Sequence, residues 1–131
     1  MKIRLLGSGT SSGVPRLGAN GPDWGQCDPL DPRNRRLRAS LLIESATTRI
    51  LIDTSPDLRE QLLAAGSPRI DAVLWTHEHA DHCHGIDDLR QLFIVAGAPI
   101  RCHARPDCWR RLVNRFNYAW QGNGTYPALL T

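Results

Sequence analysis

Apolar positions along the chain alternate between strand-like and helix-like spacing, in an order that predicts a layered α/β domain. Residues 2–6 read as a short strand that runs into the turn Gly7-Ser8-Gly9-Thr10. Residues 7–38 have little periodicity and are rich in glycine and proline, so a long loop is expected there; such loops are usually functional or disordered. Two apolar runs follow, Ser40–Glu44 and Arg49–Ile52, joined by a short polar connection, which is a hairpin signal. The hairpin argues against a purely parallel sheet. Asp53-Thr54-Ser55-Pro56 then breaks the second strand and offers caps for a helix carrying Leu58, Leu62 and Leu63, ended by Gly66.

Ile70–Trp75 is the next predicted strand, and a histidine-rich loop leaves it at once. Ile86, Leu89, Leu92, Phe93, Val95 and Ala96 form a helical stripe closed by Gly97. Pro99–Cys102 reads as a short strand and Asp107–Phe116 as a helix with Trp109, Leu112, Val113 and Phe116 on one face. Tyr118–Thr131 is weakly patterned, and no internal repeat is present.

Composition narrows the class. The chain has 131 residues, 41% of them apolar, which is enough to build a core. Its formal net charge is +3, which is compatible with anionic substrates but does not establish nucleic-acid binding. Lys2 is the sole lysine, so nearly all positive charge is arginine. Arginine suits phosphate and carboxylate groups because its planar fork donates paired hydrogen bonds; genome composition is an equal explanation. Arg33, Arg35, Arg36 and Arg38 form either an anionic contact surface or an ordinary solvated face. Four scattered cysteines do not make a disulfide framework, and Cys102 and Cys108 are expected as buried thiols. No stretch is apolar enough for a signal peptide or a membrane span, so the expectation is a cytoplasmic protein without a membrane partner.

The chemistry concentrates in His77-Glu78-His79-Ala80-Asp81-His82. Four of the five histidines fall within residues 77–84. Imidazole and carboxylate are the usual ligands of zinc and similar metals, and clustered imidazoles are costly to bury without one. His77 and His79 can serve one metal, with Asp81 and His82 at a second beside it. Asp53, at a strand end, offers a cap for the helix that follows. His84 is read as a loop-stabilising or substrate-side residue behind the ligands, and His103 as a strand-end residue. The turn Gly7–Gly13 is either a place where an anion lies against backbone amides or simply a tight strand exit.

The run His77-x-His79-x-Asp81-His82 resembles the HxHxDH signature of the metallo-β-lactamase superfamily, and it follows a strand as that signature should. Four further pieces, in order, resemble the PhnP-like phosphodiesterase branch: Gly7–Pro15, Pro32–Ser40, Leu51–Pro56 and His84–Arg90. The resemblance implies an αββα sandwich, of which residues 1–131 cover roughly the N-terminal half of a single domain. It implies two divalent ions, zinc or manganese with iron also accepted: His77 and His79 on the first, Asp81 and His82 on the second, with Asp53 either the partner that fixes imidazole orientation or a helix cap, or both. It implies hydrolysis of a small cyclic or nucleotide-like phosphodiester through a metal-bridging hydroxide, with Asp81 the residue whose loss should hurt most.

The same resemblance marks what is missing. The family completes its site with another histidine, a bridging aspartate and a final histidine from the second half, so a fragment or truncated gene product with an incomplete site is expected. Its sheet should expose an apolar face, with poor solubility and weak metal binding as consequences. Only Cys27 remains where some PhnP-like proteins carry a structural zinc, so none is expected. The alternatives are a tRNA-processing endonuclease of the same superfamily, a thioester or lactam hydrolase, and a non-catalytic metal-binding or assembly half. Nucleic acid is not the favoured partner, and a homodimer is left open.

Overall fold

The computed structural model describes residues 1–66 and 68–131. Among these, five strands form one mixed sheet: β1 (Lys2–Gly7), β4 (Ser40–Glu44), β5 (Arg49–Ile52), β6 (Ala72–Trp75) and β7 (Arg101–Ala104), side by side in that order. β1, β4 and β5 pair antiparallel, while β5–β6 and β6–β7 are parallel. The short polar turn after Glu44 can join only antiparallel neighbours, whereas parallel neighbours need a crossover. Helix α1 (Leu58–Ala64) supplies the first crossover. The second holds the one-turn α2 (Ala80–Cys83) and the longer α3 (Leu89–Ala96), with a 3-10 turn at Ile86–Asp88 between them. Helices α4 (Pro106–Arg115) and α5 (Asn117–Gln121) follow β7.

Side chains alternate across the sheet, so its two faces differ. One register row carries Leu42, Leu51 and Val73, all fully buried under the helices. They join Leu58, Leu62, Leu89, Leu112 and Trp75 in one core. The opposite face carries Ile3, Ile43 and Ile50 in one row, and Leu5, Leu41, Ile52 and Leu74 in the next. Ile3 and Leu5 are 59% and 71% exposed, so an apolar sheet face is open to solvent, as expected from the sequence.

The region 7–38 is more ordered than its sequence pattern suggests. Strands β2 (Arg16–Gly18) and β3 (Gly21–Asp23) form a small hairpin, held by an ion pair from Arg16 Nε to Asp23 Oδ2 at 2.7 Å. Leu17 is fully exposed, so the hairpin buries no face and leaves no hydrophobic alternation to read. The glycine turn is a close approach of the chain to itself. A Cβ at Gly7 would lie 2.1 Å from the Arg38 carbonyl oxygen, and the Gly9 amide donates to the Leu37 carbonyl at 2.7 Å. The turn therefore receives the backbone of residues 36–38, which supports the strand-exit reading over the anion-binding one.

The four arginines do not form a common surface. Arg33 pairs with Asp31, Arg35 lies over the Trp24 ring, Arg36 donates to Ser8, and Arg38 pairs with Asp57. The last pair is half-buried and bidentate, and the Arg38 amide also donates to Asp57 Oδ2 at 2.8 Å. The C-terminal stretch, unpatterned in sequence, is also placed. The Ile100 amide donates to Leu129 and the Cys102 amide to Thr131, so residues 129–131 run along the outer edge of β7 with Leu129 and Leu130 buried.

Leu51→Ala should destabilise the protein by about 2–5 kcal/mol in urea unfolding, because the residue is fully enclosed. Ile3→Ala, on the open face, should cost under about 1 kcal/mol. A second expectation concerns acid. Burial alone would raise the Asp57 carboxyl, but its bonds from Arg38 outweigh this and hold it below the ordinary 3.8. Its stabilisation is therefore complete above that value and is lost as pH falls through the lowered folded value. Asp57→Asn should be less stable than wild type by about 1–2 kcal/mol at pH 7, and the gap should close as the pH drops below 3.8.

Candidate metal centre

The site sits at the carboxyl ends of β5 and β6. β5 stops at Ile52, and Asp53 takes φ +61°, a left-handed conformation that aspartate tolerates better than most residues but that still carries strain. The Asp53 amide extends the parallel ladder by donating to the Leu74 carbonyl at 2.9 Å. The turn aims a buried carboxylate at the loop after β6. Asp53 Oδ1 accepts from the Thr76 amide at 2.8 Å, and Oδ2 accepts from Thr76 Oγ1 at 2.7 Å and His82 Nδ1 at 2.8 Å.

Asp53 is therefore not a helix cap. The residue before α1 is Asp57, which makes no side-chain cap bond. Ser55 orders that corner instead, accepting from the Asp57 amide and donating to the buried Gln61.

Further bonds fasten the loop to the same strand end. The Thr54 amide donates to the His82 carbonyl at 2.8 Å, and the Gly85 amide donates to the Thr54 carbonyl at 2.9 Å. Trp75 Nε1 donates to Thr54 Oγ1 at 2.9 Å inside the core. Gly85 is dictated by contact, since a Cβ there would lie 2.0 Å from the Ser55 carbonyl oxygen.

Within the loop, Ala80–Cys83 makes one helical turn, closed by the His82 amide to the His79 carbonyl and the His84 amide to the Ala80 carbonyl. This turn brings Asp81 and His82 back toward His77 and His79. The His77 ring centroid is 4.7 Å from that of His79 and 4.0 Å from that of His82. His82 Nε2 is 3.3 Å from Asp81 Oδ2. All four predicted ligands thus share one small volume. Among the described residues, no three histidine, cysteine, aspartate or glutamate side chains converge on a common point in a ready-made metal-holding group. The rings pack against each other, and His82 Nε2 faces the Asp81 carboxylate.

The hydrogen bonds assign the imidazole tautomers. The hydroxyl of Thr76 spends its one hydrogen on Asp53, so toward His77 Nδ1, 3.0 Å away, it can only accept. His77 Nδ1 is therefore the donor to Thr76. His82 likewise gives Nδ1–H to Asp53, and its Nε2 stands 3.3 Å from Asp81 Oδ2. One carboxylate thus sets the ring orientation of two histidines, one of them through a threonine that sequence reading overlooked. Its position between the strand and the first histidine is the signal that would have found it.

The other predicted residues lie apart. The His84 ring packs edge-on against Phe116, with centroids 5.8 Å apart. His103 is exposed on β7, opposite Leu74 on the open sheet face. Cys83 is fully buried, and burial pushes its thiol above the ordinary range despite the nearby Arg115. It is no reactive thiolate. Cys108 is buried as expected and Cys102 partly so; burial raises the Cys108 thiol as well and takes Cys102 to about 12. Sequence reading also overlooked Arg111 and Arg115 of α4, which reach back to Glu78 in the middle of the loop.

A family model for the beta-lactamase superfamily domain matches residues 48–128. The chain belongs to the metallo-β-lactamase superfamily. Its PhnP-like character is also supported: a solved diphosphatase of the PhnP family is 44% identical, with a TM-score of 0.78 over 88% of this chain and 46% of that one. Zinc-bound PqqB from Methylobacterium extorquens is 27% identical, with a TM-score of 0.66 over 87% of this chain and 40% of that one. Among curated proteins, an octanoyltransferase of Porphyromonas gingivalis is 44% identical over 97% of this chain, which is 25% of its own length. The chain spans less than half the length of each of these relatives. As a superfamily member it carries the mixed sheet and the loop after β6, over part of the length of its solved relatives.

Asp53→Ala should destabilise the protein by about 2–4 kcal/mol in urea unfolding, because it strands the Thr76 and His82 donors and leaves alanine at φ +61°. Asp53→Asn, which tolerates that backbone and keeps one acceptor oxygen, should cost less.

Proposed function

We propose that this chain supplies one half of the active site of a metal-dependent hydrolase, acting in the cytoplasm on a small cyclic or nucleotide-like phosphodiester. The observation that carries the proposal is the gathering of His77, His79, Asp81 and His82 at one strand end, with the Nδ1 atoms of His77 and His82 bonded to Thr76 and Asp53, so that the Nε2 edges face the other ligands. Three imidazoles and a carboxylate are the donor chemistry that zinc, manganese and iron take. His77 and His79 would hold one ion, and Asp81 and His82 a second. The zinc-bound relative lends support to divalent metal use. When bound, a divalent ion supplies Lewis acidity toward a phosphoryl oxygen and lowers the pKa of water to about 7.

The chain's own residues prepare the site. Asp53 fixes the His82 ring by accepting its Nδ1–H, and through Thr76 it orients His77. Asp81 adds negative charge at the rim, beside His82 Nε2. The 44% identical diphosphatase supports phosphoryl chemistry. It also favours a second reading, cleavage of a diphosphate linkage rather than a phosphodiester.

The test is hydrolysis by the intact protein carrying this chain, supplied with manganese or zinc. Bis(p-nitrophenyl) phosphate should be cleaved, and His77→Ala or Asp81→Ala should lower the rate by about 100-fold or more. Cleavage of a nucleoside diphosphate conjugate with no turnover of the diester would move the assignment to the second reading. Turnover of nitrocefin or a thioester alone would sink both.

A further inference from the structure

The loop between β6 and α3 has two anchors on its inner side, both on Asp53: Thr76 at its start and His82 near its end. The middle, where Glu78 separates His77 from His79, is held from the other side by α4. Arg111 and Arg115 are one helical turn apart and share a face of that helix. The Arg111 guanidinium pairs with the Glu78 carboxylate. Arg115 Nη1 donates to the Glu78 carbonyl oxygen at 2.8 Å and lies 3.5 Å from Cys83 Sγ. The Cys83 thiol donates to the same carbonyl at 3.3 Å.

These contacts differ in consequence. The Arg111 side chain is 67% exposed, and such ion pairs contribute little. Arg115 is exposed as well, but its bond is charge-assisted and falls on the backbone, in the peptide unit that leads into His79. Two donors on one carbonyl fix that peptide plane, and with it the direction in which His79 leaves the chain. Asp53 makes no such contact with His79. The bonds at Thr76, His82 and Gly85 hold the two ends of the loop, and the Glu78 carbonyl is where its middle is held.

We infer that Arg115, with Cys83 behind it, is a positioning residue: it holds the Glu78 carbonyl so that His79 is presented beside His77 as a ligand pair. The inference rests on the metal reading of this loop, and it assigns a function to the fully buried Cys83 and to an arginine 36 residues beyond His79 in the chain.

The experiment uses the intact protein and the variants Arg115→Ala, Arg115→Lys and Arg111→Ala, with two readouts. Amide hydrogen exchange is followed in metal-free protein at Thr54, His82 and His84, the amides whose bonds close the loop. Cobalt(II) affinity is followed by visible absorption. Arg115→Ala should speed exchange at those three amides about tenfold relative to β5 and β6. It should weaken cobalt binding about 10–100-fold. Arg115→Lys, which keeps a cationic donor, should recover most of that affinity, and Arg111→Ala should stay within about twofold of wild type. Unchanged exchange and affinity in Arg115→Ala would overturn the inference. So would an equal rise in exchange across the whole sheet, which would make Arg115 a residue of general stability. Absence of cobalt binding by wild type would instead remove the metal reading, and the exchange measurement would still decide whether Arg115 holds the loop.

Discussion

The buried carboxylate of Asp53 organises this chain. It lies where the antiparallel part of the sheet meets the parallel part, and three donors converge on it from the loop that leaves β6. A carboxylate placed there without partners would be strongly destabilising, so burial and hydrogen bonding are inseparable at this position. The left-handed backbone at Asp53 is the strain that this arrangement sustains, and it is offset by the bonds the turn makes available. The orientations of the His77 and His82 rings follow from this one anchor.

The loop is thereby built from outside as much as from within. Its own residues contribute one helical turn, which cannot stabilise itself at four residues. Order comes from Asp53 and Thr54 on one flank and from α4 on the other. A site made this way can hold several imidazoles near each other in orientations fixed by their Nδ1 partners. Support arises from rigid elements, the ends of two paired strands and a ten-residue helix, which suits a ligand set that must keep its geometry.

The two sheet faces show the same division between local pattern and wider context. Helices seal one face into a dry core, and the other stays apolar and open. The chain spans less than half the length of the relatives it resembles, in agreement with a sheet that has one covered side. The exposed Ile3 and Leu5 belong to the same strands whose alternate residues are fully enclosed, so the open face is a property of the layer and not of local disorder.

Most elements were legible from amino-acid order because their signals are local. The hairpin of β4 and β5, the stripe of α3 with its closing Gly97, and the strand before the histidines are periodicities of a few residues. The four candidate ligands were legible for the same reason: they lie within six residues on one loop, so proximity in sequence is proximity in space. What escaped was everything without a buried face or with a distant partner. The hairpin of β2 and β3 buries nothing, and residues 129–131 acquire their place only by lying along β7. Local reading also left Asp53 divided between two functions and took the arginines of residues 33–38 together. Tertiary structure separated them, because a carboxylate bonds to whichever donors folding brings within 3 Å, and each arginine found a different neighbour. The ligand types were settled by composition along one loop; their tautomers, their orientation and the reach of Arg115 across the fold were settled only when three separate elements packed around it.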